Sequence, residues 1–311
     1  MSILQHNFQG TPAVLAAAVF GGLGLLWLYR KLRRRQALAS LHGKVVLITG
    51  ASSGIGEACA HAFHQVGCKV ILTARRLNEL ERVKTEIIAQ SAKGKTDAPK
   101  VLQLDVSDLE SIPEKMKEAL AFHGRIDVLV NNAGMSYRGS VKDTKMEVHQ
   151  KVMLVNYFGS VAVTTAILPH MISKKSGTII AVSSIQGKLA VPFRTAYTAS
   201  KFAMQAFFDS LRAEVAQYNI RVGVSSPSYV QTNISVNAVR GDNSQYGVTD
   251  ANIAKGMSAE YLADEIVLQA ATGEEDVIVG PFIHRLAPHL NVLFPGLMRM
   301  VMKLRAKKGI E

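Results

Sequence analysis

Apolar positions along the middle of this chain alternate between two rhythms. Lys44-Val-Val-Leu-Ile-Thr49 is an unbroken, β-branched run of strand length, after which Ala58, Ala62, Phe63 and Val66 recur at helical spacing. Strand-like runs return at Lys69-Val-Ile-Leu-Thr-Ala74, Val101-Leu-Gln-Leu-Asp105-Val106 and Ile126-Asp-Val-Leu-Val-Asn131. Strand followed by helix, over 311 residues without an internal repeat or low-complexity stretch, predicts one large α/β domain with an appended segment. Ser91-Ala-Lys-Gly-Lys-Thr-Asp97 reads as an exposed loop before the third strand.

The N-terminal pattern is different in kind. Pro12 to Tyr29 holds no charged residue, and a helix of that length spans ~27 Å, close to the ~30 Å hydrocarbon core of a bilayer. Trp27 and Tyr29 stand at one end, where amphipathic rings favour the interface. A cleaved signal peptide wants its basic residues before the apolar run, whereas here they follow it. Residues 1–36 are therefore read as a transmembrane helix with a basic flank, residues 40–283 as the α/β domain and 284–311 as its amphipathic, basic extension. The stretch from His289 to Arg305 mixes large apolar with basic residues. It is either a core-packed terminal helix or one lying in the membrane interface beside the pocket mouth. Residues 228–257, polar and weakly periodic, suit a mobile lid.

Charge refines this picture. Of the net +12, five positive charges lie at residues 30–35 and a net four at 299–311, leaving about three for everything else. A nucleic-acid binder would spread its charge over a domain face. Basic clusters beside apolar segments instead suit anionic lipid headgroups, so membrane lipid is expected as a partner and nucleic acid is not. Residues 1–11 carry no Lys or Arg, which puts the α/β domain on the cytosolic side. Asn233-Ile234-Ser235 is a glycosylation sequon that matters only in a lumen; it lies in the expected substrate loop and is taken as accidental. The two cysteines, Cys59 and Cys68, are expected to be small apolar residues rather than a bridge or ligands, and no metal is predicted.

Candidate chemistry begins where the first strand flows into Gly50-Ala-Ser52-Ser53-Gly54-Ile55-Gly56. Strand, glycine-rich turn and helix make a dinucleotide-binding unit: Gly50 for the turn, Gly54 for approach to the pyrophosphate, Gly56 for helix–sheet packing. Free N–H groups of the helix N-terminus face the phosphates. The second strand ends in Ala74 followed by Arg75 and Arg76. An acidic residue at this strand end would bind an NAD ribose; arginines suit a 2′-phosphate instead. NADP(H) is thus expected over NAD(H), with Arg75 favoured over Arg76 as the ligand. Asp105, with Val106, is placed to meet the adenine; Asn132 and Gly134 are placed to pack on the cofactor or brace the sheet. Asn131 is read as a buried structural amide. Finally, Tyr197 and Lys201 are four apart on an expected helix, so the ammonium can lie beside the phenol and ease its ionisation. Ser184 could hold a substrate carbonyl oxygen against that phenol.

With TGASSGIG at 49–56, NNAG at 131–134, Asn156, Ser184 and YTASK at 197–201 in order, the chain resembles the classical short-chain dehydrogenase/reductase family over roughly residues 40–280. The resemblance implies a Rossmann-like, doubly wound parallel sheet of about seven strands and a catalytic tetrad of Asn156, Ser184, Tyr197 and Lys201. It implies Tyr197 as proton donor in reduction, Ser184 as the group positioning the carbonyl, and Lys201 also as a ligand of the nicotinamide ribose. Asn156 would hold a relay water, and Ser183 would be structural. Val230 is placed near the carboxamide and Thr232 near the diphosphate. The family's glycine after Pro227 is here Ser228, which narrows the backbone choices of that turn.

The expected activity is a membrane-anchored NADP(H)-dependent oxidoreductase acting on the carbonyl or secondary alcohol of a lipophilic substrate. Steroids, retinoids and acyl- or alkyl-glycerone lipids all stay open, as does the direction. The endoplasmic reticulum is the expected membrane, with the peroxisomal membrane as the other choice, and a homodimer is left open. The competing class is a tethered cofactor-binding scaffold without turnover; degenerate relatives of that kind usually lose the Tyr, Lys or Ser retained here.

Overall fold

All five residues of Val45–Thr49 are buried, as a strand with neighbours on both edges and helices on both faces must be. The protein is described by a computed structural model covering residues 27–29, 31–91, 97–307 and 309. In it this strand, β1, pairs in parallel with β2 (Lys69–Ala74) on one side and β4 (Val128–Asn131) on the other. β3 (Lys100–Gln103) lies outside β2. β5 (Gly177–Val182), β6 (Ile220–Pro227) and β7 (Asp276–Val279) follow β4 in turn. The result is the seven-stranded parallel sheet that the resemblance implies, in the order β3-β2-β1-β4-β5-β6-β7. The third strand ends at Gln103, so Asp105 and Val106 belong to the turn after it.

Helices cover both faces. On one side α1 (Gly54–Gln65), α2 (Leu77–Gln90) and α6 (Ala259–Thr272) bury Phe63, Leu80 and Ile266 against the sheet. On the other, α3 (Ile112–His123), α4 (Met146–Lys174) and α5 (Thr195–Val215) bury Met116, Ile167 and Phe208. Burying each such side chain is worth roughly 1.5–3 kcal/mol. Strand order reverses between β1 and β4, and loops leaving their C-terminal ends part in opposite directions there. An α/β sheet opens its ligand crevice at this switch point.

Among the described residues α4 is the one helix long and apolar enough to cross a membrane. It is a wall of the domain, with Val163, Ile167 and Met171 fully buried. The anchor expected at residues 12–29 lies outside the described residues except for 27–29. Residues 31–39 are helical, and Arg34 reaches Glu265 of α6 at 3.4 Å. The C-terminal extension is a pair of helices, α7 (Phe282–Leu293) and α8 (Pro295–Lys307). Met298 is buried, but Phe282, Val292, Leu293, Leu297, Met300 and Leu304 are exposed. A core-packed terminal helix is not what these residues form.

Candidate active site

The glycine-rich turn is shaped by contacts that exclude side chains. Gly50 and Gly54 have φ of +68° and +59°, a region costly for other residues. A β-carbon on Gly56 would stand 2.3 Å from the Gly50 carbonyl oxygen, so only glycine lets α1 start this close to the strand end. Asn132 braces the same turn, its amide nitrogen donating to the carbonyls of Thr49 at 3.0 Å and Gly50 at 3.3 Å. The Thr49 hydroxyl accepts from the backbone of Asn132 and Ala133. Ser53 caps α1 without a side-chain bond, leaving the first-turn N–H groups free for an anion. Ile55 packs half-buried on the core below. Thr232 lies over Gly54, its methyl 3.1 Å from where a β-carbon would sit. This cradle fits a dinucleotide.

At the end of β2 the two arginines separate. Arg76 turns back over the glycine-rich turn and donates to the hydroxyls of Ser52 at 2.9 Å and Ser53 at 3.1 Å. Arg75 offers its carbonyl to Gln103 and is exposed. Arg75 is the residue expected to meet a 2′-phosphate; of the pair it is Arg76, at the N-cap of α2, whose side chain rests on the glycine-rich turn. Asp105 turns one oxygen onto Ser107, accepting from its N–H and hydroxyl. Val106 is buried against Gly159, and Val230 is buried under α6 and bridged to Met257.

Asn156, Ser184, Tyr197 and Lys201 come together, all buried. Tyr197 is hydrogen-bonded to Ser184. The Lys201 Nζ lies 5.8 Å from the centre of the Tyr197 ring and donates to the Val182 carbonyl at 2.9 Å. Asn156 sits in a π turn, Leu154–Phe158, within α4, a form often found at functional sites. Its amide is fully engaged: Oδ1 accepts from Met135 N at 2.8 Å, and Nδ2 donates to Met135 O and Ser200 Oγ, both at 2.9 Å. Gly134 joins the group to the glycine-rich turn; a β-carbon there would stand 3.2 Å from Asn156 Oδ1 and 3.8 Å from Lys201 Nζ. Asn131 donates to the Thr164 hydroxyl at 2.8 Å, a structural amide as read. Ser183 bonds the Lys201 carbonyl at 3.5 Å.

Burial dominates the acid–base behaviour of this group. It pushes Lys201 down to about 8. It raises the Tyr197 phenol, with the Ser184 hydrogen bond and the charge of Arg138 pulling the other way. The ammonium beside the phenol was expected to bring it toward the working range; in the protein alone desolvation of a buried phenolate outweighs such help.

Several residues on the substrate side carry no motif. A cleft of about 890 Å³ beside the catalytic helix is lined by Phe193, Arg194, Tyr229, His284, Leu304 and Arg305, among others. Ser228, in place of the family's glycine, keeps ordinary backbone and pairs with His284 Nδ1 of α7. Arg305 of α8 donates to the Tyr229 hydroxyl at 2.8 Å. Tyr137-Arg138 pairs with Val239-Arg240, pinning the 228–257 segment beside the tyrosine. Ser235 of the sequon is buried and accepts from Asp250 N. Cys59 and Cys68 are separate, buried thiols. Glu57, His61 and Glu86 cluster closely, but Arg82 donates to both carboxylates.

A crevice at the switch point and a Ser–Tyr–Lys–Asn group at its inner end define an α/β nucleotide-dependent oxidoreductase. Residues 44–243 match the short chain dehydrogenase family model, and the chain belongs to that family. It is 46% identical over 290 residues to Dehydrogenase/reductase SDR family member 7B of Mus musculus, covering 93% of this chain and 90% of that one. A short-chain dehydrogenase from Streptomyces avermitilis superposes with a TM-score of 0.71 at 29% identity, over 86% of this chain and 98% of that one. A metagenomic short-chain oxidoreductase in complex with NADP gives 0.63 at 32%, over 78% and 98%.

Proposed function

We propose that this chain is a membrane-anchored, NADP(H)-dependent oxidoreductase that moves hydride between nicotinamide and a carbonyl or secondary alcohol of a lipophilic substrate. The observation that carries the reading is the joining of the glycine-rich turn to Lys201 and Asn156 through Asn132 and Gly134, with the Tyr197 phenol on Ser184 at the same place. Gly50, Gly54 and Gly56 would admit the diphosphate against the α1 N-terminus, with Ser52, Ser53 and Thr232 around it. Arg76, backed by Arg75, would take the 2′-phosphate where Ala74 offers no competing carboxylate. The NADP bound by the similar metagenomic oxidoreductase supports that preference.

Bound NADPH supplies the hydride. Ser184 holds the carbonyl oxygen, and Tyr197 delivers its phenolic proton to that oxygen as negative charge develops. Lys201 would stabilise the phenolate left behind and hold the nicotinamide ribose, while Asn156, tied by its side chain to Met135 and Ser200, would keep the π turn in register with the α5 helix beside a relay water. Lipophilic substrates of lipid ketone, steroid or retinoid type suit the cleft because exposed apolar side chains of α7 and α8 stand at its mouth. Basic residues on the same helices favour a membrane surface. By the positive-inside bias the domain lies on the cytosolic face of the endoplasmic reticulum, which protease protection on vesicles tests. Tyr197→Phe should abolish NADPH consumption across a panel of lipid ketones while leaving NADPH binding nearly intact. Equal turnover overturns the assignment.

A further inference from the structure

The 228–257 segment, polar enough to be expected as a mobile lid, is stitched into the domain. Asp250 is buried between two guanidiniums, accepting from Arg138 at 3.4 Å and Arg194 at 3.2 Å. Its N–H donates to the Ser235 hydroxyl, Val239 N donates to the Ser136 carbonyl, and Lys145 N to the Gly241 carbonyl. Such a segment is a wall. The helix pair at the C-terminus is held differently. α7 is fixed at its root, where His284 pairs with the Ser228 hydroxyl and Arg285 Nε donates to the Ile278 carbonyl at 3.1 Å. Of the thirteen residues of α8, Met298 alone is buried, yet Val301, Leu304 and Arg305 form one side of the cleft of about 890 Å³. Phe294, with φ of −131° and ψ of 61°, is the single non-helical residue between the two helices. Near the far end of α8, Arg305 donates to the Tyr229 hydroxyl at 2.8 Å. A hinge at one end and a polar catch at the other are the parts of a swinging lid.

What would open it follows from what the closed position leaves unmet. Leu297, Met300, Val301 and Leu304 are 41–54% exposed, and the apolar side of a membrane interface would cover them. The catch is a neutral phenol, whereas a guanidinium bonds an anionic phosphate oxygen more strongly. α8 also carries Arg299, Lys303 and Lys307 and no acidic residue, which draws it to net-negative headgroups. We propose that α8 is a lid over this cleft, hinged at Phe294 and caught by Arg305 on Tyr229, and that an anionic bilayer surface draws it open. The bilayer binds the open form better than the closed one, and that difference shifts the balance between them. Opening presents the cleft to the lipid face, where a lipophilic substrate resides. The inference rests on the reading of this cleft as the place of that substrate.

Its test needs no turnover. Cys59 and Cys68 are buried, so nitroxide labels on Glu260→Cys of α6 and Lys307→Cys of α8, both exposed, report the lid in the full chain by double electron–electron resonance. Lys307 stands ~18 Å along α8 from the hinge, so a swing of the helix lengthens the separation by several ångströms. One distance is expected in non-ionic detergent and in phosphatidylcholine vesicles. A second, longer distance is expected in vesicles of phosphatidylcholine and phosphatidylserine in equal parts. Tyr229→Phe, which loses the acceptor of the catch, should show the longer distance in phosphatidylcholine alone. If that variant fails to fold, Arg305→Ala removes the same bond from an exposed helix. Labels on Leu297→Cys and Leu304→Cys, two turns apart within α8, should keep their dipolar broadening throughout, which separates hinging from melting. One distance under every condition overturns the proposal, as does a longer distance equal in both kinds of vesicle, loss of the broadening within α8, or a catch variant that matches the parent. A rigid α8 strikes the lid and leaves hydride transfer standing. A Tyr197→Phe enzyme that still turns over would instead strike the catalytic reading and leave the measured swing in place.

Discussion

Arg76 donates to the hydroxyl of Ser52 across 2.9 Å, so the cation at the end of β2 already rests on the glycine-rich turn. If that guanidinium grips a 2′-phosphate, Arg76→Ala removes a charge-assisted hydrogen bond worth about 1.5–3 kcal/mol. NADPH affinity should fall roughly ten- to a hundredfold while NADH affinity stays nearly constant, with Arg75→Ala costing less. Fluorescence titration with both cofactors reads this directly; equal losses for the two would remove the basis for an NADP preference.

Gly56→Ala tests the cradle itself. The added methyl would stand 2.3 Å from the Gly50 carbonyl and 2.5 Å from the Asn132 amide nitrogen. Overpacking of this kind costs about 1–3 kcal/mol, which corresponds to a fall in Tm of roughly 2–12 °C for a domain of this size. The rise in Tm on adding NADPH should vanish as well. Gly296→Ala, with nothing within 4 Å of its new methyl, is the control and should leave both quantities unchanged.

These predictions rest on features of unequal visibility in sequence. Gly50, Gly54 and Gly56 announce themselves because backbone sterics restrict them to glycine, and Tyr197 with Lys201 because helical spacing puts them on one face. That Arg76 rather than Arg75 rests on Ser52 and Ser53 depends on the direction in which the chain leaves β2. Arg138 and Asp250 are 112 residues apart, and only the folded path from β4 and the one from β6 bring them together. The same holds for Ser228 with His284, 56 residues on. An apolar-basic pattern in α8 predicts a stripe, yet whether protein covers that stripe depends on what packs there.

The depressed Lys201 sets a pH dependence of stability. Its folded value of about 8 lies below the ordinary 10.5, so between these values the unfolded chain binds more protons and stability rises with pH. The contribution is complete above 10.5 and is lost as pH falls through about 8. Lys201→Met lacks the group, and the difference between its melting curve and the parent's should shrink or reverse below pH 8. Denaturant unfolding at pH 7, 8 and 9 measures it. A pH-independent difference would mean that the ammonium is not desolvated as its burial implies.

The apolar face of α7 and α8 gives the prediction that ties the site to a membrane. Arg34 contacts Glu265 on α6, and Tyr261, one turn earlier on that helix, lines the 890 Å³ cleft. Val301, Leu304 and Arg305 of α8 line the same cleft. The basic flank of the expected anchor and the C-terminal helices therefore meet at one end of the domain, so a bilayer holding the anchor would touch both. Because Cys59 and Cys68 are buried, a surface cysteine can be labelled selectively with an environment-sensitive fluorophore. In reconstituted vesicles containing anionic lipid, label on Leu297→Cys or Leu304→Cys should shift to the blue relative to the detergent-solubilised protein. Label on Leu77→Cys, exposed at the cofactor side, should not. Emission typical of water at 297 and 304 in such vesicles would separate the cleft mouth from the bilayer and remove the support for the proposed lipophilic substrate.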